Sequence, residues 1–300
     1  MESLAERDAS AIRLGAEIGR GRFAAVHKAD ANGAVCAAKI VHDGEGFAHA
    51  LAEIAILQRC SHDAIVWLLD AFRDSSSGRV YVLLEHLSGG DLFERLERCG
   101  GRYEEDVSAR LALQAGGALG YLHARGIVHR DLKPDNLVYA SAAADAPVKL
   151  VDFGFAATNL DGLEGLCASP DYAAPEVLSW RSSVHGVPYG AAVDMWALGV
   201  VLYICLSGFH PFYSDGTGDD PEADPEAAML ERARTATFSF PQTFDGEQTA
   251  WAREGGCSGG ARSLIRRLLF AQPTLRLDAE GVTSDAWVRT FAEPFSVLAE

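Results

Sequence analysis

The stretch His129-Arg130-Asp131-Leu132-Lys133-Pro134-Asp135-Asn136 decides how this chain is read. It sets an acid, an ammonium and an amide at fixed offsets on one short loop: Asp131, Lys133 and Asn136. Such a set can orient a hydroxyl, touch a phosphate in transfer and hold a hard cation. With seven positions constrained, a chance match is rare, unlike most short motifs.

Upstream, Gly19-x-Gly21-x-Phe23-Ala24-x-Val26 lies between two stretches that read as strands. Glycines let the backbone approach a polyphosphate so that amide N–H groups can contact it. Alone this is a weak signal, and a dinucleotide-fold explanation fails because strand, not helix, follows. Thirteen residues after Val26 comes Lys39, the only charge in the apolar run Val35–Val41. A buried ammonium needs a carboxylate partner. Glu53 on the next helix is the natural candidate, with Glu45 the poorer alternative.

Downstream, Asp152-Phe153-Gly154 follows the strand-like Val148-Lys149-Leu150-Val151, sixteen residues past Asn136. A carboxylate at a strand end suits a hard cation with oxygen ligands. Then come Cys167-Ala168-Ser169-Pro170-Asp171-Tyr172-Ala173-Ala174-Pro175-Glu176, Asp194-Met195-Trp196-Ala197-Leu198-Gly199 and Pro273-Thr274-Leu275-Arg276-Leu277.

In this order and at these distances, the motifs resemble those of the eukaryotic protein kinase superfamily, from about Ile12 to Trp287. Lys133-Pro134 follows the serine/threonine form. Leu87-Ser88-Gly89-Gly90-Asp91-Leu92-Phe93 and Gly208-Phe209-His210-Pro211-Phe212 are similar to the calcium/calmodulin-dependent group. The resemblance implies an α+β, bilobal fold: a small antiparallel β lobe with one helix (12–85), a hinge (86–90), and a larger, mainly helical lobe (91–287). A short tail, 288–300, completes the chain.

It further implies ATP as the phosphoryl donor and Mg2+, or Mn2+, as the metal. Ile18, Gly19, Arg20, Gly21, Arg22, Phe23, Ala24, Val26 and Ala37 would cover the nucleotide. Lys39 would hold its α and β phosphates and Glu53 would pair with Lys39. Glu85 and Leu87 would offer hinge backbone groups to adenine, with Leu84 as gatekeeper. Asp131 would orient the substrate hydroxyl and accept its proton, and Lys133 would neutralise the moving phosphoryl group. Asn136 and Asp152 would bind the metal, with Phe153 packing beside it. Asp91 and Asp135 would recognise an arginine upstream of the phosphoacceptor, and Ser169 would bond to Asp131 and Lys133. Glu176–Arg276 and Asp194 would be structural: an ion pair and a brace for the catalytic loop. Two positions depart from the family pattern. Ala24 stands where a third glycine is usual, and Ala168-Ser169 stands where Gly-Thr is usual.

Arg130 implies a cationic pocket of the kind that receives a phosphorylated residue. Between Asp152 and Glu176 the hydroxyls are Thr158, Ser169 and Tyr172, and the last two have structural explanations. Asp161 or Glu164 could supply the negative charge permanently. Phosphorylation at Thr158 is the alternative.

Composition is consistent with this reading. Three hundred residues, 48% apolar and 23% charged, suffice for two lobes with their own cores. A net charge of −16 argues against nucleic acid and anionic membrane as partners, and suits protein substrates with basic residues. An acidic surface also simply keeps a protein soluble. The six cysteines contain no C-x-x-C pair, which fits a reducing compartment. Cys167 is either a redox target or an ordinary thiol. The N-terminus carries no signal-peptide pattern, and the longest apolar run, Met195–Leu206, reads as a core helix. An intracellular protein is expected, cytoplasmic or nuclear.

Strand patterns occupy 12–40, 65–72 and 80–85; helical ones occupy 49–59, 104–124, 191–207, 226–236, 260–270 and 280–291. The segments 140–147, 180–188 and 214–226 read as surface insertions, the last with six acidic residues. No basic amphipathic calmodulin-target helix or calcium-binding loop is visible. Two rivals remain. A pseudokinase-type scaffold would have lost Lys39, Asp131 or Asp152. A small-molecule phosphotransferase would lack the Pro170–Glu176 segment and the Lys133-Pro134 pair.

Overall fold

A computed structural model describes residues 4–21, 23–41, 44–158, 161–164, 169–182, 188–213, 224–240, 243–244, 247–248 and 256–292. The chain forms two compact units, one of residues 1–90 with 138–156, the other of 91–137 with 157–300.

The first unit is built on a six-stranded sheet of β1 (Glu6–Arg7), β2 (Ile12–Arg20), β3 (Ala24–Ala31), β4 (Ala34–Val41), β5 (Leu68–Asp74) and β6 (Val80–Glu85), in the order β1-β5-β6-β4-β3-β2. Asn32 and Gly33, both at positive φ, close the β3–β4 hairpin, the primed-turn geometry that an Asn-Gly pair favours. Helix α1 (Glu45–Leu57) follows β4. The residue period of two gives the sheet two different faces. Cys36, Ala38, Ile40, Phe72, Tyr81 and Leu83 turn to one side and form a small core with Ala29, against which Ala9, Ile12 and Ala31 pack.

Two features depart from the expected lobe. The sheet does not start at 12: β1 adds a parallel edge strand beside β5, with Arg73 N–H donating to Ala5 and Ser75 N–H donating to Arg7. Asp74 is what holds this edge. Its carboxylate accepts from Ala9 N–H, the Ser76 and Ser77 hydroxyls and Ser77 N–H. Residues 138–156 also group with this unit rather than with the helical one. Val66 N–H donates to Leu150 O and Leu150 N–H to Ala64 O, so the strand Val148–Leu150 is tied to the segment before β5.

The second unit is mostly helical: α2 (Leu92–Arg98), α3 (Glu105–His123), α4 (Pro175–Ser182), α5 (Ala192–Ser207), α6 (Pro225–Thr235), α7 (Gly259–Leu268), α8 (Ala279–Thr283) and α9 (Ala286–Ala292). Acids at Glu105 and Asp106 and a base at His123 match the dipole of α3. Its stripe Leu111, Ala115, Ala118, Leu119 and Leu122 is buried, and α5, α8 and α9 pack around this helix. Helix α5 is buried on nearly every side, and Gly208 in the left-handed conformation ends it. The single helix expected over 280–291 is instead two. Asp285 accepts from Trp287 N–H and restarts the chain as α9, a capping signal inside what looked like one period.

Gly199 sets how closely α5 and α7 approach. A Cβ there would lie 2.8 Å from Leu268 Cβ and 2.9 Å from Leu269 Cδ2. Gly199→Ala is expected to destabilise the protein by about 1–3 kcal/mol, the usual cost of overpacking. Chemical denaturation measures it; an unchanged midpoint would mean the two helices separate freely.

Candidate active site

In the first unit, cross-strand register collects one set of side chains on the sheet face opposite the small core. Val26 pairs with Lys39, Lys39 with Val82, and Ala37 with Leu84. Partners directly across an antiparallel pair share a face, so Val26, Ala37, Lys39 and Leu84 all project the same way. The turn joining β2 to β3 is closed by Gly21 N–H donating to Ala24 O at 2.9 Å. Ala24, the departure from the family pattern, is buried at the start of β3, where a methyl fits. Ile18 is 49% exposed. Arg20 is engaged with Glu17 on its own strand, and Arg22 lies outside the described residues.

Lys39 is the electrostatic centre of this face. Its Nζ lies 2.7 and 3.0 Å from the Glu53 carboxylate oxygens and 2.9 Å from Asp152 Oδ1. Burial alone would push its pKa down; the pull of Glu53 and Asp152, with their hydrogen bonds, outweighs that and raises it. Lys39 therefore stays an ammonium at any physiological pH. Glu53 is fixed from both sides, since Phe153 N–H also approaches it at 3.4 Å. Phe153 itself is fully buried. Asp152 holds φ at 59°, a left-handed value that a non-glycine residue keeps only when its surroundings impose it.

The hinge belongs to this unit too. Glu85 N–H donates to Trp67 O, while its carboxylate meets Lys149 Nζ at 2.6 Å and accepts from Trp67 N–H. Lys149 also lies 4.4 Å from the centre of the Trp67 ring. Gly89 must be glycine for a steric reason: a Cβ would fall 2.3 Å from Ser141 O and 2.5 Å from Tyr139 Cβ. Leu87 is half-buried.

In the second unit, the catalytic loop is a knot of short polar contacts. Asp131 Oδ2 lies 3.2 Å from Lys133 Nζ and 3.1 Å from Asn136 Nδ2. Asn136 Nδ2 also donates to Asp131 O at 2.7 Å. Ser169 reaches Asp131 Oδ1 through both its amide (3.2 Å) and its hydroxyl (3.3 Å), and that hydroxyl accepts from Lys133 Nζ at 3.0 Å. With its amide nitrogen spent on Asp131, Asn136 presents its oxygen for other use. That oxygen is a hard donor of the type a magnesium ion takes, and in the first unit the 45%-exposed Asp152 carboxylate is another.

Asp194 braces this loop from beneath. It accepts from His129 N–H (2.9 Å) and Arg130 N–H (2.8 Å) and meets His123 Nε2 at 2.8 Å. Arg130, at φ 71°, turns its guanidinium to Tyr189 Oη (2.8 Å) and to the main-chain carbonyl of Glu164 (2.9 Å). Glu164 thus contributes a carbonyl here, where its carboxylate had been expected. Asp161, whose strand pairs with Tyr189–Gly190, is described for its backbone only. Glu176 and Arg276 form a two-pronged pair at 2.7 and 3.0 Å, and Arg276 further donates to Ala192 O and Phe270 O.

Of the expected substrate-recognising acids, Asp135 is exposed, whereas Asp91 has a structural duty. It caps α2 by accepting from Glu94 N–H, and burial followed by repulsion from Glu94 and Asp135 raises its pKa. Cys167, Ala168 and most of the acidic 214–226 segment lie outside the described residues. Two side chains of consequence went unnoticed in the sequence, Lys149 and His49. Lys149 carried the same signal as Lys39, a lone cation in an apolar run.

Burial would raise the Asp194 pKa, but the His123 and His129 contacts win and lower it below the ordinary 3.8. A depressed carboxylate contributes stability above its unfolded value and loses it as pH falls through the folded one. Asp194→Asn should therefore cost about 3 kcal/mol at neutral pH. In urea titrations across pH, that deficit should shrink below about pH 3.8. A deficit independent of pH would mean the charge contributes nothing.

A protein kinase domain model matches residues 12–288. The chain is 38% identical over 237 residues to the rat calcium/calmodulin-dependent protein kinase type 1B, covering 79% of this chain and 61% of that protein. It is 34% identical over 283 residues to the human calcium/calmodulin-dependent protein kinase type IV, covering 93% of this chain and 54% of that protein. The chain thus spans little more than half the length of these relatives. Among the described residues, no helix is long and apolar enough to cross a membrane. The motifs, the two-unit fold and these matches agree: the chain belongs to the protein kinase domain family, serine/threonine type, on the side of the calcium/calmodulin-dependent protein kinases.

Proposed function

We propose that this protein transfers the γ-phosphoryl group of ATP to serine or threonine hydroxyls of proteins, preferentially in basic sequence contexts. One observation carries the reading. Asp131, Lys133 and Ser169 form a closed triangle of contacts in which a carboxylate and an ammonium point at the same hydroxyl. A substrate hydroxyl replacing that of Ser169 would meet a base to orient it and a cation to balance the charge of the moving phosphate.

Each unit contributes by positioning. Lys39, fixed by Glu53, supplies a permanent charge for the α and β phosphates, and Ala37, Val26 and Leu84 supply an apolar face for adenine. Asp152 and Asn136 would hold Mg2+, which when bound neutralises charge on the β and γ phosphates. Asp131 takes the hydroxyl proton as the oxygen attacks. The intact Lys39, Asp131 and Asp152 weigh against a scaffold role, and the segment Pro170–Glu176, with its Glu176–Arg276 pair, weighs against a small-molecule phosphotransferase.

Transfer from Mg-ATP to a basic serine peptide should fall by about 10²–10⁴ in Asp131→Asn, the usual weight of a positioned general base. Nucleotide-dependent thermal stabilisation without transfer in the wild type would favour the scaffold. Replacing arginine by alanine three residues before the phosphoacceptor should lower kcat/KM about tenfold, one charge-assisted contact; an unchanged value would remove Asp135 and Asp91 from substrate recognition. Arg130 Nη2 is already met by Tyr189 and a carbonyl. Phosphatase treatment should leave activity nearly unchanged, whereas a large loss would assign control to Thr158.

A further inference from the structure

Helix α1 carries a side chain that the proposed chemistry does not use and that touches two other segments of the first unit at once. His49 stands one turn before Glu53. Its Nδ1 lies 3.1 Å from the Gly154 carbonyl oxygen. A carbonyl only accepts, so Nδ1 carries the proton and donates. The ring stacks on Phe23 with centroids 5.1 Å apart and planes 13° apart, and meets Phe155 edge-on at 6.0 Å and 66°.

These partners are not incidental neighbours. Phe23 belongs to the glycine-bearing turn between β2 and β3, and Gly154 and Phe155 directly follow Asp152. Contact at the start of α1 is close: a Cβ on Gly46 would lie 2.9 Å from Phe23 Cβ. Asp152 is in a left-handed conformation, and its carboxylate is met by Lys39 and, at 3.3 Å, by Gly154 N–H. Anchoring the Gly154 carbonyl restrains the same residue through its backbone. A histidine that merely filled space would show ring contacts without a directed N–H on one of these segments.

We infer that His49 is a positioning residue with two separable roles. Its Nδ1–H fixes Gly154, and through it the aim of the Asp152 carboxylate. Its ring parks Phe23 and sets the resting place of the turn that would contact the nucleotide phosphates. The catalytic consequence rests on the kinase reading above; the mechanical one does not.

The roles separate by substitution. His49→Phe keeps a ring and loses the donor. His49→Asn keeps a donor near the Nδ1 position and loses the ring. His49→Ala loses both. In the nucleotide-free protein, amide hydrogen exchange over 152–156 should accelerate in the Phe and Ala variants and not in Asn. Exchange over 19–26 should accelerate in the Asn and Ala variants and not in Phe. In steady-state transfer from Mg-ATP, His49→Phe should lower kcat about fivefold at little-changed KM for ATP, the weight of one neutral hydrogen bond. His49→Asn should raise KM for ATP about threefold at little-changed kcat, the weight of one ring pair. If all three variants alter both segments alike, or neither, the assignment is overturned and His49 only fills space. A split exchange pattern in a protein that transfers no phosphate would sink the kinase reading and keep this one. Active protein with no split would do the reverse.

Discussion

A single buried carboxylate organises the second unit. Asp194 sits on α5, inside a helix that is otherwise apolar on nearly all sides, and spends its charge on two consecutive backbone amides, His129 and Arg130, and on His123. Removing a carboxylate from water is costly, and these donors are what offset it. The arrangement also adds direction, because two consecutive N–H groups meet the two oxygens of one carboxylate only over a narrow range of loop angles. Asp131, Lys133 and Asn136 inherit that angle.

The first unit meets the same problem with the opposite sign. There the buried charge is an ammonium, Lys39, and its partners come from a helix (Glu53) and from the segment just after the strand Val148–Leu150 (Asp152). One charge thus ties three segments that are far apart in sequence. Both charged centres adjoin a non-glycine residue at positive φ, Arg130 in one unit and Asp152 in the other. Such a conformation costs of order 1–3 kcal/mol and persists only where surrounding contacts over-determine it. Strain and buried charge occur together because each is tolerable only where the contacts leave the chain no alternative.

Much of this was legible in the residues. The Lys39–Glu53 partnership follows from the rule that a lone charge in an apolar run needs a partner, while the catalytic-loop roles, the Glu176–Arg276 pair and the Asp194 brace are what the family resemblance implies. The strands and helices were visible wherever the period was clean. What was missed had weaker local signals. The strand at Glu6–Arg7 is two residues long and exists because Asp74 and the end of β5 receive it. The break between α8 and α9 depends on Asp285 acting as a cap, and a periodicity scan does not see caps. The need for glycine at 89 comes from Ser141 and Tyr139, about fifty residues away, and no local rule reports it. His49 looked like an ordinary polar position on a helix.

The first unit is not a continuous piece of chain. Residues 1–90 lack the segment 138–156, which brings the Lys149 partner of Glu85, the Asp152 partner of Lys39 and the backbone groups of 139–141 that receive the hinge. A nascent chain emerging from the ribosome amino end first would therefore expose a complete sheet in an unfinished unit, with Lys39 lacking one of its two carboxylates, until residue 156 had cleared the exit. The intervening forty-seven residues, 91–137, include helices α2 and α3, whose backbone hydrogen bonds are local. Helical turns of the second unit can then form before the first unit closes, so completion of the first unit does not follow chain order.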